Sequence, residues 1–281
     1  MGFISTRLAR LHDKKQRRHP DSGILSGAEP RHLGAQDAER AVLFIHGFIA
    51  TPNSFADLPD YVAARGWHVR AMLLPGHGTS PFDFQKVTGQ ELEDAVLQEV
   101  EQLKRRYATV VLVGHSMGGA LATIAAAQSS PKGLILVAPY YSVTHRWYYM
   151  MRPETWARLA SSVTPFICAP GTRQPIRQTT GKGKIILYKW IPLKSVPVAM
   201  ALAEKARHED TLRKINMPTL LIHSVNDTVT DPAASKKVYD VIPSPDKTAE
   251  WLTRSNHVVF WDYDRDQVKE SVSRFLSRWE S

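Results

Sequence analysis

The chain has 281 residues, 43% hydrophobic and 22% charged, which supplies enough apolar side chain for a full core and excludes a disordered class. Its single cysteine, Cys168, excludes an intrachain disulfide and argues against a zinc-thiolate site or a cysteine nucleophile. The net charge of +9 is uneven: residues 1–40 carry 8 basic and 5 acidic side chains, 41–139 carry 7 and 8, 140–205 carry 10 and 2, and 206–281 carry 11 and 12.

In chain order, residues 1–22 form a basic, polar segment that reads as poorly ordered. It lacks the apolar stretch of a secretory signal, and with the lone cysteine this gives a cytoplasmic expectation. From Ala41 onward, short runs of Val, Ile and Leu alternate with stretches of helical period. Strands are predicted at Ala41–His46, His68–Leu73, Thr109–Gly114, Gly133–Ala138, Pro218–Ser224 and Ala249–Thr253. Helices are predicted at Ser54–Arg65, Gln90–Tyr107, Met117–Gln128, Asp231–Val241 and Arg265–Trp279. Leu92, Val96, Val100 and Leu103 mark the inward stripe of the second helix. The apolar run Ala108–Ala127 has the length of a membrane span, but Gly114-His115-Ser116 and Gly118-Gly119 divide it into strand, turn and helix. Continuous apolar strands between helices predict an α/β fold with a mostly parallel, doubly wound sheet covered on both faces. Ligands would then bind where the strands end.

Residues 23–139 and 206–281 are the expected core. Residues 140–205 interrupt the rhythm. They hold 9 of the 25 aromatics, and prolines at 153, 165, 170, 175, 192 and 197 preclude one long helix. This stretch reads as a cap or lid insertion, with Tyr140, Tyr141, Trp147, Met150 and Met151 as candidate substrate-binding residues.

Gly114-His115-Ser116-Met117-Gly118 is a G-x-S-x-G elbow with a predicted strand before it and a predicted helix after it. Such a turn strains the serine backbone and leaves room only for glycine two residues to either side. It also sets Ser116 at a helix N-terminus, whose dipole favours developing negative charge. A serine hydroxyl needs a base to take its proton, and the base needs a carboxylate to orient it, in the chain order Ser, Asp, His. Of the 11 histidines, only His257 follows the last strands. Two carboxylates follow the strand at 218–224. Asp231 precedes Pro232 and suits a helix N-cap, so Asp227 is the expected triad member. The backbone N–H groups of Met117 and Phe48 are the expected oxyanion donors, the latter in the loop His46-Gly47-Phe48. His46 itself reads as a packing and hydrogen-bonding residue.

These residues, with Pro75-Gly-His-Gly78 and Asn256-His257, resemble the α/β-hydrolase superfamily, and more narrowly small capped bacterial carboxylesterases and monoacylglycerol lipases. The resemblance runs from Gly27 to the C-terminal helix. It implies a small-molecule ester substrate, an acyl-enzyme on Ser116, an acyl pocket beneath the cap, and neither metal nor cofactor. Acyl-chain length is not taken from the resemblance, because the cap is more basic than the family's and matches it poorly. The complete triad and the apolar cap predict short- to medium-chain acyl esters, monoacylglycerols among them. Where the family often has glycine before the histidine, this chain has Asn256, which also accepts left-handed backbone angles.

An alternative within the fold is a thioesterase or a carbon–carbon bond hydrolase acting on an anionic substrate, with Arg146, Arg152 or Arg158 as partners. A second is a non-catalytic ligand-binding protein, which such folds produce by losing a triad member, and none is missing here. The basic insert could attract an anionic lipid surface. No nucleic-acid partner is expected, because no motif accompanies the charge.

Overall fold

A computed structural model describes residues 2–35, 37–144, 155, 159–160, 163–169 and 174–280. Its strands are β1 (Arg31–Leu33), β2 (Arg40–Ile45), β3 (His68–Ala71), β4 (Thr109–His115), β5 (Gly133–Val137), β6 (Phe166–Cys168), β7 (Trp190–Pro192), β8 (Thr219–Ser224) and β9 (Lys247–Leu252). Its α-helices are α1 (Gly2–Lys14), α2 (Leu58–Ala63), α3 (Pro81–Phe84), α4 (Gly89–Arg106), α5 (Met117–Ser129), α6 (Ser195–Ala206), α7 (Glu209–Leu212), α8 (Pro232–Val241) and α9 (Arg265–Leu276).

Seven strands form one sheet in the order β1-β3-β2-β4-β5-β8-β9, and β6 and β7 form a separate antiparallel pair. All pairs of the large sheet are parallel except β1 with β3. The period of two along each strand sorts the core into two layers. Ala41, Leu43 and Ile45 of β2 face the apolar residues of α4, α5 and α6, while Val42 and Phe44 face α2 and α9. All four residues of the predicted stripe on α4 are buried. Thr88 and Glu91 close a capping box at that helix's start, which fixes where the stripe begins.

The N-terminal segment differs from its sequence reading. Residues 2–14 are helical and packed against β6, with Ala9 fully buried. Asp13 anchors the helix end, pairing with Arg18 at 2.5 Å and accepting from the Ser80 hydroxyl at 2.9 Å. The insert also departs from a pure cap. Its last part is α6, whose Ala199, Leu202 and Ala206 belong to the core layer beside α5, and Lys205 pairs with the buried Glu93 of α4 at 2.6 Å. Among the described residues, no helix is long and apolar enough to cross a membrane.

Parallel pairing puts the ends of β2, β4, β8 and β9 on one rim, and each of these ends leads into a segment of the predicted site.

Candidate active site

Ser116 follows β4 directly and has φ 56°, ψ −123°, a left-handed angle that a non-glycine residue adopts only when its surroundings hold it there. The surroundings are visible at the flanking glycines. A Cβ on Gly114 would meet Ala122 Cβ and Gly119 Cα at 2.7 Å, and one on Gly118 would strike the Ile45 carbonyl and lie 2.5 Å from that of His46. A third glycine brings the opposing loop in, since a Cβ on Gly47 would lie 2.9 Å from Ser116 Cβ.

The three predicted triad residues meet. Ser116 Oγ donates to His257 Nε2 at 2.9 Å, and His257 Nδ1–H donates to Asp227 Oδ2 at 2.7 Å. All three side chains are buried. Asp227 Oδ1 accepts from the amides of Val229 and Thr230 at 2.7 and 3.0 Å, and Oδ2 also accepts from the Thr230 hydroxyl at 2.9 Å. Burial alone would raise the Asp227 carboxyl, but the neighbouring His257 charge and the donors from His223 and His257 outweigh it and hold it well below the usual carboxylate range. Asp231 is the N-cap of α8, accepting from the Ala233 amide at 2.9 Å.

The amides of Phe48 and Met117 have no backbone acceptor among the described residues, and both residues sit beside Ser116. His46 is structural. Its Nδ1–H donates to the Gly47 carbonyl and its Nε2 accepts from the Leu74 amide, each at 3.0 Å, so only the neutral ring satisfies both. Burial, helped by neighbouring His77, keeps it well below the usual histidine value. Burial likewise lowers His77 to about 4, and burial with the adjacent His257 lowers His115 to about 3.

These three rings give a pH prediction. Each is neutral in the fold and binds a proton more readily unfolded, so stability is present above about pH 6.5 and is lost as pH falls toward their folded values. The expected slope is up to about 1.4 kcal/mol per pH unit per histidine. Urea unfolding at steps from pH 7 to 4.5 reads it, and a flat profile would mean the rings are not held neutral.

Sequence reasoning missed His223 and the part played by Asn256. His223, fully buried on β8, donates from Nε2 to Asp227 Oδ2 at 3.2 Å and accepts at Nδ1 from Ser235 at 2.9 Å. It reads in sequence as one polar residue in an apolar strand, and no signal ties it to Asp227 before the loop curls back. Asn256 does not use a left-handed angle. Its Oδ1 instead accepts from the Thr228 amide at 2.9 Å and the His257 amide at 2.9 Å, clasping the carboxylate loop to the histidine loop.

Ser116 opens into a chamber of about 520 Å³ walled by Phe48, Ile49, Ile185, Leu187, Tyr188 and Val258, with His12 of α1 and Lys189 of the insert also contributing. The Tyr188 hydroxyl donates to the Gly76 carbonyl at 2.7 Å and accepts from the Thr79 amide at 2.9 Å, tying the insert to the Pro75–Gly78 loop. A second groove of about 620 Å³, between α7 and α8, is larger but lies away from Ser116, so volume alone does not mark the site. One of the substrate residues predicted in the insert needs correction. Tyr141 is buried in the core and hydrogen-bonded to Thr123 at 2.8 Å, so it does not line the chamber, whereas Tyr140 is half-buried against that core and its amide donates to the Ser116 carbonyl at 2.9 Å. Trp147, Met150 and Met151, with Arg146, Arg152 and Arg158, lie outside the described residues.

A family model described as serine aminopeptidase, S33 matches residues 36–264. The thermostable monoacylglycerol lipase of Bacillus sp. (strain H-257) is 27% identical over 257 residues, covering 91% of this chain and 96% of that protein. The carboxylesterase of Bacillus subtilis (strain 168) is 22% identical, covering 89% and 97%. Among solved structures, one from a study of LipS and LipT, two metagenome-derived lipolytic enzymes, superposes with a TM-score of 0.81 at 26% identity, covering 91% of this chain and 99% of that one. A soluble variant of the monoglyceride lipase of Saccharomyces cerevisiae superposes with a TM-score of 0.76 at 18% identity, covering 89% and 91%.

Proposed function

The chain belongs to the serine aminopeptidase S33 family of the α/β-hydrolase fold, and from that premise we propose that it is a serine carboxylic-ester hydrolase for short- to medium-chain acyl esters, monoacylglycerols among them. The observation that carries the reading is the unbroken relay Ser116–His257–Asp227 opening into a largely apolar chamber.

In this reading, His257 Nε2 takes the Ser116 proton as Oγ attacks the ester carbonyl, and the ionised Asp227 stabilises the imidazolium that forms. The amides of Phe48 and Met117 receive the charge on the former carbonyl oxygen. Collapse expels the alcohol, which leaves with the proton held by His257. Water then repeats the sequence on the acyl-enzyme and releases the acid. The relatives named as monoacylglycerol lipase and carboxylesterase, each covered nearly end to end, support an ester over a peptide substrate.

One observation favours the second reading, a thioesterase or carbon–carbon bond hydrolase on an anionic substrate: the Lys189 side chain at the chamber wall, which has no carboxylate partner among the described residues. A panel of p-nitrophenyl esters from acetate to palmitate, monoacylglycerols and acyl thioesters separates the two. The expected result is highest kcat/KM on neutral short- to medium-chain esters. Preference for thioesters or for carboxylate-bearing substrates favours the second reading, and no turnover of any ester eliminates the first.

A further inference from the structure

The outward side of α1 is unlike an ordinary surface helix. Phe3, Ile4, Leu8 and Leu11 are exposed, Phe3 by 79% and Ile4 by 62%. At 100° per residue, Ile4, Leu8 and Leu11 form one strip, and Arg7, Arg10 and Lys14, all exposed, form a second strip beside it. The small and polar residues Gly2, Ser5, Thr6 and Ala9 face the protein instead. The only acid of the helix, Asp13, is turned inward and occupied by Arg18 and Ser80. The outward half is therefore apolar and cationic, with no negative charge.

The patch continues past the helix. A Cβ on Gly2 would lie 3.4 Å from Pro165 Cδ and from the Val163 carbonyl, and Ser5 accepts from the Thr164 hydroxyl at 2.7 Å. Val163 is 60% exposed and Ile167, on β6, is 41% exposed. On its inner side the same helix supplies His12 to the chamber over Ser116. One wall of the chamber thus carries an apolar, basic outer face.

Cationic side chains alternating with large apolar ones suit an interface where acyl chains meet anionic headgroups. The geometry points to the outward face of α1, with the Val163–Ile167 segment, as a docking surface for an anionic phospholipid bilayer. Docking brings the chamber wall onto the surface from which acyl esters would partition. The inference rests on the ester-hydrolase reading for its purpose only, because binding is read without turnover.

The test is co-sedimentation of the full chain with vesicles of phosphatidylcholine alone and of phosphatidylcholine with phosphatidylglycerol. Wild type should bind the anionic vesicles, with binding weakened by salt as headgroup attraction is screened. Two glutamine sets preserve helix propensity: Ile4→Gln, Leu8→Gln, Leu11→Gln, and Arg7→Gln, Arg10→Gln, Lys14→Gln. Each should lower the vesicle partition coefficient about tenfold or more. Wild-type binding that is absent, or equal on the two vesicle types, overturns the inference without any variant. Folded variants that bind like wild type overturn it too. So does light scattering showing that this face pairs two copies of the chain while vesicles are ignored. If vesicles bind as expected but no ester is turned over, the docking surface stands and the catalytic reading falls.

Discussion

Ser116→Ala is expected to lower turnover of p-nitrophenyl butyrate by about 10⁴-fold or more, with folding unchanged. The hydroxyl is the only atom of the relay that would bond to substrate, and without it His257 Nε2 has no proton to take. Whatever rate survives would come from the Phe48 and Met117 amides and from binding in the chamber, contributions that persist when a triad nucleophile is lost. Folding should hold because alanine meets the same strain as serine at φ 56° and needs no more room. The lost hydrogen bond is one at 2.9 Å, at the floor of a chamber that solvent can enter. Progress curves on purified protein, with thermal melting as the folding control, check the outcome. Retained turnover eliminates Ser116 as nucleophile.

The features legible in sequence were those that backbone sterics or burial on both faces impose. β2, β4, β5 and β8 are built mostly of Val, Ile and Leu because both faces are covered, which is why they stand out in the chain. The elbow was legible because Gly114 and Gly118 sit where a Cβ would strike neighbouring backbone, a constraint that leaves a fixed spacing in the chain. Asp231 could be separated from Asp227 because a following proline marks a helix start.

What escaped depended on contacts that only the assembled fold creates. In α1 the apolar residues point outward, the reverse of the pattern by which a surface helix announces itself. β1 is three residues at a sheet edge, Arg31-His32-Leu33, without a β-branched side chain. Tyr141 sits just past a strand end and so reads as a rim residue. Yet Ala138 takes φ 44° there, and the turn carries the ring back to Thr123 in the core. His223 and Asn256 act across chain separations or turns that carry no periodic signal.

Asp227→Asn is expected to cost about 10⁴-fold in kcat, while Asp231→Asn changes it by no more than about twofold. Asn serves as well as Asp at an N-cap, so the Ala233 amide keeps an acceptor at position 231. Position 227 has no such tolerance. Oδ2 receives N–H groups from His257 at 2.7 Å and His223 at 3.2 Å, and Oδ1 receives the amides of Val229 and Thr230 at 2.7 and 3.0 Å. An asparagine must turn its NH₂ toward one of these pairs of donors. If it faces the imidazoles, His257 shifts its proton to Nε2 and can no longer accept one from Ser116. If it faces the backbone, two amides lose their acceptor and the loop that aims residue 227 is loosened. Because the carboxylate is held well below its usual range, wild type keeps it ionised throughout the assay range, so activity lost on mild acidification would come from another group. Steady-state rates of the two variants at matched pH decide the matter, and a larger loss from Asp231→Asn would move the carboxylate of the relay to that position.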